Sequence, residues 1–209
     1  MPVAVLPLSM EAFNHISFLW LNAPADTPAW QLAAAAVLAN GLIYLVPLWL
    51  TGLWLIGGGA RRAAVSAVAA VAVALLVNAG IGQAFFHPRP FMVHFGTNFL
   101  PHAPDSSLPS DHTTIMLVTA LVLLRAAEPL PRRSGRALLL LTLPTAWARI
   151  FLGVHWPLDI VAALLVAVSA CLLVGSTPGR RLCGTLQTAL EAIYRAVLAR
   201  PIARGWLRP

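Results

Sequence analysis

The chain has 209 residues, of which 59% are hydrophobic and 10% charged, and 14 basic against 7 acidic residues leave a formal charge of +7. Soluble domains are about 45–50% apolar and about 25% charged, so these proportions exclude an ordinary soluble domain and point to an all-α integral membrane protein. All the basic residues are arginine, and they lie mostly in short loops and the C-terminal tail, where anionic lipid headgroups rather than nucleic acid are the expected partner.

The segment 11–23, EAFNHISFLWLNA, is apolar but short and carries Glu11, Asn14 and His15. It predicts an amphipathic interfacial helix; stretched back to Val5 it would be a sixth crossing. No basic stretch precedes it, so no cleavable signal peptide is expected. Residues 31–56 form the first clear span, with Asn40 as a packing residue and Pro47 as a kink. GGGARR (57–62) breaks the run, and 63–86 is the second span. A polar loop, 87–110, leads to a third span over about 112–127 that includes Arg125. PLPRRSGR (129–136) reads as a tight basic loop. The fourth span, 137–154, contains Pro144 and Arg149. His155, Trp156 and Pro157 turn the chain into the last span, 158–175.

The expected architecture is a bundle of five to six transmembrane helices over 1–178, followed by a basic tail, 179–209. Within the tail, Leu182, Leu186, Leu190, Ile193 and Val197 recur at roughly helical spacing. That pattern suits either a helix on the membrane surface or a solvated tail. Trp20, Trp30, Trp49, Trp54 and Trp156 fit aromatic belts, and His15 an interfacial polar position. Cys171 and Cys183 have neither metal-ligand nor redox spacing.

Arg61, Arg62, Arg125, Arg132, Arg133, Arg136 and the tail arginines fall on one side, while Arg89 and Arg149 lie towards the other. The basic side is then cytoplasmic. Loop 87–110 and the turn 155–157 share the outer face.

Three polar segments converge there: FHPRP (86–90), PSDH (109–112) and RIFLGVHWPLD (149–159). Ionisable residues at membrane depth cost about 2.5–3.5 kcal/mol each on the insertion scale, so each marks a functional site by default. Arg89 and Arg149 offer forked donors that match phosphate oxygens. PSDH opens a helix, whose free N–H groups and positive dipole end favour an anion, with Ser110 as N-cap. His155 and Asp159 are one helical turn apart, with Pro157 suited to the first helical position. A carboxylate on one ring nitrogen fixes the tautomer and leaves the other to attack phosphorus. His112 then protonates the leaving oxygen. His87, His94 and His102, with Asp105 and Asp111 nearby, lack tight metal-ligand spacing, and this chemistry needs no metal or other cofactor.

These blocks, in this order, resemble the type 2 phosphatidic acid phosphatase superfamily. Its pattern is Lys, six residues, Arg-Pro; then Pro-Ser-Gly-His; then Ser-Arg, five residues, His, three residues, Asp. FHPRPF, NFLPHAPDSSLPSDH and ARIFLGVHWPLD are similar to the bacterial undecaprenyl-diphosphate phosphatase branch associated with bacitracin resistance. The similarity runs from about residue 13 to 175 and leaves the tail outside. It implies His155, His112 and Asp159 as the catalytic set and Arg89, Ser110 and Arg149 at the phosphate; Asp111, in the same block, is placed with the phosphate-binding residues by its position, and Gln83 and His87 are accessory candidates. Three positions depart from the pattern. Gly82 replaces the lysine, Asp111 the glycine and Ala148 the serine, and Asp111 would repel phosphate unless turned away or paired. The resemblance implies hydrolysis of undecaprenyl diphosphate to undecaprenyl phosphate through a phosphohistidine. That reaction recycles the lipid carrier for peptidoglycan synthesis at the plasma membrane. The residues by themselves support a membrane-embedded phosphatase. Phosphatidylglycerol phosphate or a lipid A phosphate are alternative substrates, and a non-catalytic lipid-diphosphate binder or drug-resistance transporter is the alternative class.

Overall fold

In hydrocarbon every backbone N–H and C=O must be satisfied within the chain, so apolar runs of this length become helices. The structure, a computed structural model, describes residues 10–208, and the regular elements among them are helical. Helix α1 (Met10–Leu21) has 12 residues. At about 1.5 Å per residue it is too short to cross a core about 30 Å thick. The stretch back to Val5 that would have made it a crossing lies outside the described residues.

Ala29–Ile56 is an apolar run of 28 residues. It divides into α2 (Ala29–Ala36) and α3 (Leu45–Ile56), separated by a π turn at Val37–Gly41 and a 3₁₀ turn at Leu42–Tyr44. The discontinuity lies at Asn40-Gly41, ahead of Pro47, which stands in the first turn of α3 where a missing N–H is tolerated. Gly57, at φ 87°, makes the reversal, and α4 (Gly58–Ala84) starts at once. GGGARR is therefore mostly the first turns of a helix rather than a loop. Ala63, Ala67, Ala70 and Ala74 give α4 a small-residue face that lets its neighbours approach closely.

Helix α5 (Asp111–Leu124) is the central post, with nine of its fourteen residues buried and α4, α6 and α7 packed around it. Helix α6 (Pro129–Phe151) corrects the reading of 129–136 as a loop. Pro129 occupies the first helical position, with φ already set and no donor to lose. The hydroxyl of Ser134 donates back to the Leu130 carbonyl at 3.1 Å. Gly135 is required for contact with α5, since a Cβ there would meet the Leu124 nitrogen at 2.7 Å and the Ala120 oxygen at 2.8 Å. Pattern reading missed this turn because proline, glycine and arginine together imitate a loop.

Helix α7 (Pro157–Gly175) completes the bundle, and α8 (Thr177–Val197) and α9 (Ala199–Ala203) follow. Arg61 ties α8 down. Its guanidinium pairs with Glu191 at 3.4 Å and stacks over Trp54 and Tyr194, 4.8 and 4.9 Å from their ring centres. Leu182, Leu186, Leu190, Ile193 and Val197 stay exposed along α8. Ala29–Ile56, α4 and α7 are each long and apolar enough to cross a membrane. Outward residues such as Leu76, Leu140 and Leu165 are apolar, as lipid-facing surfaces require. The chain is a multi-pass membrane protein. The end of α4, the starts of α5 and α7 and the end of α6 meet at one end of the bundle.

Candidate active site

The turn between α6 and α7 is built around Gly153, at φ 82°, where any side chain would collide with the Thr97 carbonyl. Only glycine allows the 97–99 strand of loop to lie there, and the Phe99 N–H donates to the Leu152 carbonyl at 3.0 Å. Asn22 staples the same region, its amide donating to the carbonyls of Thr97 at 3.0 Å and Phe151 at 3.1 Å. Asn14 of α1 accepts from the Leu158 N–H at 3.1 Å. Trp156 is buried rather than part of an aromatic belt. It packs against Phe18, Phe95 and His15, and its indole N–H donates to the Pro88 carbonyl at 2.8 Å. These contacts hold His155 in place.

His155 is 2% exposed and Asp159 fully buried. Pro157 does start α7, and the Asp159 Oδ2 lies 3.1 Å from His155 Nδ1. The same oxygen accepts the Trp156 N–H at 2.7 Å. With Nδ1–H donated to the carboxylate, Nε2 is the unprotonated nitrogen and carries the lone pair. Burial pushes this imidazole below its ordinary range, against the pull of Asp159. The ring is therefore neutral at Nε2, as a nucleophile must be.

Two guanidinium groups flank that nitrogen. Arg89 Nη1 and Arg149 Nη2 each stand 3.3 Å from Nε2. Arg89 also donates to the carbonyls of Val154 at 2.9 Å and Ser106 at 3.2 Å. Arg149 Nη1 donates to Asn40 Oδ1 at 3.1 Å, while its buried Nε–H has no partner among the described residues. The π turn thus delivers Asn40 to the site, beyond the packing role read from sequence. Its signal was a lone amide in an apolar span.

Ser110 sits at the N-cap position of α5 and is fully buried, but its hydroxyl meets Thr113 Oγ1 at 3.1 Å and caps no backbone N–H. Its own N–H donates to the Asp159 carbonyl at 3.3 Å, which ties the start of α5 to α7. His112 is half-buried in the first turn of α5. Asp111 is turned to α4, where the amide of Asn78 donates to its Oδ1 at 2.8 Å and to Thr114 Oγ1 at 3.0 Å. An amide, rather than an arginine, is what occupies this extra carboxylate. Gly82 faces Ser106, whose Cβ would lie 3.4 Å from an added Cβ, whereas Gln83 is exposed and hydrogen-bonds to none of these groups.

His87 is a second histidine on Asp159. Its Nδ1 lies 2.9 Å from Ser107 Oγ and 3.7 Å from Asp159 Oδ1, and that carboxylate raises its pKa above the ordinary imidazole value. Ser107 itself donates to Asp159 Oδ1 at 3.3 Å. Asp105 pairs with Arg89 at 2.9 Å and is 62% exposed. The exposed carboxylate can exchange Arg89 for water, which leaves that guanidinium open to another anion. The ring of His102 lies 6.3 Å from that of His155, whereas His94 is exposed and outside the cluster. Ser107 and Asn78 are the residues sequence reasoning missed, and Asp105, weighed there only beside a metal site, pairs with Arg89 instead. Nothing in their spacing distinguishes them from ordinary loop and helix polar groups.

A family model described as PAP2 superfamily matches residues 63–182. YbjG of Escherichia coli (strain K12), provisionally named an undecaprenyl-diphosphatase, is 39% identical over 203 residues, 95% of this chain and 99% of that protein. The tail, expected to lie outside the resemblance, is therefore largely inside it. The undecaprenyl-diphosphatase BcrC of Bacillus subtilis (strain 168) is 35% identical over 70% of this chain and 72% of its own length. Among solved structures, LpxE of Aquifex aeolicus superposes with a TM-score of 0.64 at 19% identity, covering 83% of this chain and 98% of that one. A PAP2-type phosphatidylglycerolphosphate phosphatase of Bacillus subtilis gives 0.60 at 13% identity, covering 82% and 87%. At these identities the two structures speak to the fold alone.

Proposed function

The chain belongs to the PAP2 superfamily, and from that premise we propose that it removes the terminal phosphate of undecaprenyl diphosphate, leaving undecaprenyl phosphate. One observation carries the reading. His155 Nε2 is held unprotonated by Asp159 and lies 3.3 Å from both Arg89 and Arg149. A phosphoryl group seated between the two forks has its phosphorus in front of the nitrogen. The forks meet the charge that spreads over the equatorial oxygens as the bond to the leaving group lengthens.

In the first step Nε2 bonds to the terminal phosphorus and the phosphorus–bridging-oxygen bond breaks. His112 gives its proton to that oxygen, and undecaprenyl phosphate departs. A bound diphosphate supplies the negative charge that favours the protonated form of His112. In the second step water attacks the phosphohistidine, His112 takes its proton, the nitrogen–phosphorus bond breaks and inorganic phosphate leaves. Asp159, Ser107 and Trp156 hold the ring throughout. No step in this scheme calls for a metal or organic cofactor. The names of the YbjG and BcrC relatives support the diphosphate substrate.

The direct test is phosphate release by the purified protein from lipid mono- and diphosphates. The expected result is a kcat/KM for undecaprenyl diphosphate above that for phosphatidylglycerol phosphate or a lipid A phosphate. A preference for one of those would reassign the substrate. Binding of the diphosphate without any phosphate release would make the protein a binder.

We place this site on the outer face of the plasma membrane, because the arginines outside it gather at the other end of the bundle. Ala103→Cys should react with a membrane-impermeant thiol reagent in intact cells and Arg133→Cys only after permeabilisation. Both positions are exposed, and the natural Cys171 and Cys183 are buried. The opposite labelling pattern would put the active site on the cytoplasmic face.

A further inference from the structure

At the end of the bundle away from His155, α4, α5, α7 and α8 enclose a cavity of about 690 Å³. We propose that this cavity is a binding site for the phosphate headgroup of an anionic phospholipid, held by Arg62, Arg125, Arg180 and Arg181. This is a second lipid site, independent of the phosphatase reading, and nothing in the proposed chemistry uses it.

The charge balance is the first argument. Four arginines and one carboxylate, Glu128, line the cavity. The ion pairs of arginine among the described residues are Arg61 with Glu191, Arg89 with Asp105 and Arg195 with Glu191. Among the described residues, none of the four cavity arginines has a carboxylate within salt-bridge reach. The contrast with Arg61, one residue away, is informative. Arg61 is buried, paired and stacked, and serves to dock α8. Arg180 is partly accounted for, since it reaches the Gly175 carbonyl at the end of α7 and Thr177 Oγ1. Such contacts also suit cations at helix C-termini. Arg62, Arg125 and Arg181 have no such partner among the described residues.

Shape is the second argument. Gly59, Gly175 and Gly184 form part of the wall. A Cβ on Gly184 would lie 3.0 Å from Arg62 Nη2, and one on Gly175 would lie 3.5 Å from Arg125 Nη2. The guanidinium groups thus rest against bare backbone, and side chains at these glycines would take up the space. The volume falls within the about 300–1,000 Å³ usual for small-molecule sites. Guanidinium forks match phosphate oxygens, and basic pockets between transmembrane helices at this depth suit lipid headgroups. Val122, Cys171 and Val174 continue the wall into the apolar bundle. A free phosphate ion would have no use for that surface, whereas a glycerol backbone and acyl chain would cover it.

The test uses full-length protein carrying His155→Ala, to prevent turnover, with binding read by native mass spectrometry in detergent. Phosphatidylglycerol should add to the protein at lower concentration than phosphatidylcholine. Arg62→Ala with Arg181→Ala should weaken the phosphatidylglycerol adduct on the order of tenfold. Gly184→Leu should weaken it similarly, because it fills the cavity while keeping every arginine. Equal binding of the two lipids, or unchanged phosphatidylglycerol binding in both variants, overturns the site. Millimolar inorganic phosphate should leave the lipid adduct in place. If it displaces the lipid fully, the cavity is a free-anion site and the lipid assignment fails. The thermal unfolding midpoint of each variant separates lost binding from lost folding. Because Arg89 and Arg149 can also hold a phosphate in this background, the part of the phosphatidylglycerol adduct lost in folded cavity variants is the quantity that reports on the cavity.

Discussion

His155→Ala is expected to lower phosphate release from undecaprenyl diphosphate by on the order of 10⁴-fold or more. The size follows from the surroundings of Nε2. His87, the histidine nearest to Asp159 besides His155, presents its Nδ1 to Ser107 and its Nε2 towards Glu11, 3.8 Å away. Its lone pair is not aimed between Arg89 and Arg149, so it offers no replacement. The two arginines would still bind phosphate in the variant, so KM should change much less than kcat. Asp159→Asn should cost less, between about 10² and 10⁴-fold, because the nucleophile remains but loses the partner that fixes its tautomer. Alkaline detergent quench of the unaltered enzyme during turnover of terminally labelled substrate should trap a phosphoprotein that is stable in base and lost in acid, absent in His155→Ala. Near-normal release by His155→Ala would remove it as the nucleophile, and trapping of label in that variant would assign the nucleophile to another residue.

The second large effect is differential. His112→Ala should slow hydrolysis of the lipid diphosphate by about 10²–10⁴-fold, the usual worth of a general acid. An aryl phosphate whose leaving group departs as a stable anion needs little protonation, so its phosphorylation step should be slowed far less. His155→Ala, by contrast, should damage both substrates to the same degree. The quantity that decides is the ratio of kcat/KM values for the two substrates in each variant. The parameter kcat/KM is chosen because breakdown of the phosphohistidine, in which His112 also acts, is common to both substrates and can limit kcat. Equal losses for both substrates in His112→Ala would make that residue a phosphate ligand or a structural group. The acid would then have to come from His102, whose ring lies within 6.3 Å of His155.

Much of the fold was legible because the bilayer leaves few choices. Long apolar runs must be helices there, so the spans over 31–56, 63–86 and 158–175 follow from composition alone. The same constraint made the polar residues conspicuous. Arg89, Ser110, His112, Arg149, His155 and Asp159 were found as costly exceptions in an apolar chain, and spacing alone predicted contact between His155 and Asp159. That contact is local, one helical turn about Pro157, and local geometry is what a sequence encodes directly.

Tertiary structure decided what depends on distant approach. Whether 129–136 was loop or helix turned on Gly135, which earns its place only against the backbone of α5. Which way Asp111 points turned on Asn78, 33 residues away on another helix. The grip on Arg149 came from Asn40, 109 residues upstream, through a π turn that no periodicity announces. A side chain read in isolation carries its chemistry but not its partner. In a low-dielectric interior the partner determines whether a carboxylate repels a substrate or orients a histidine, and whether an arginine is spent on the fold or left free for a ligand.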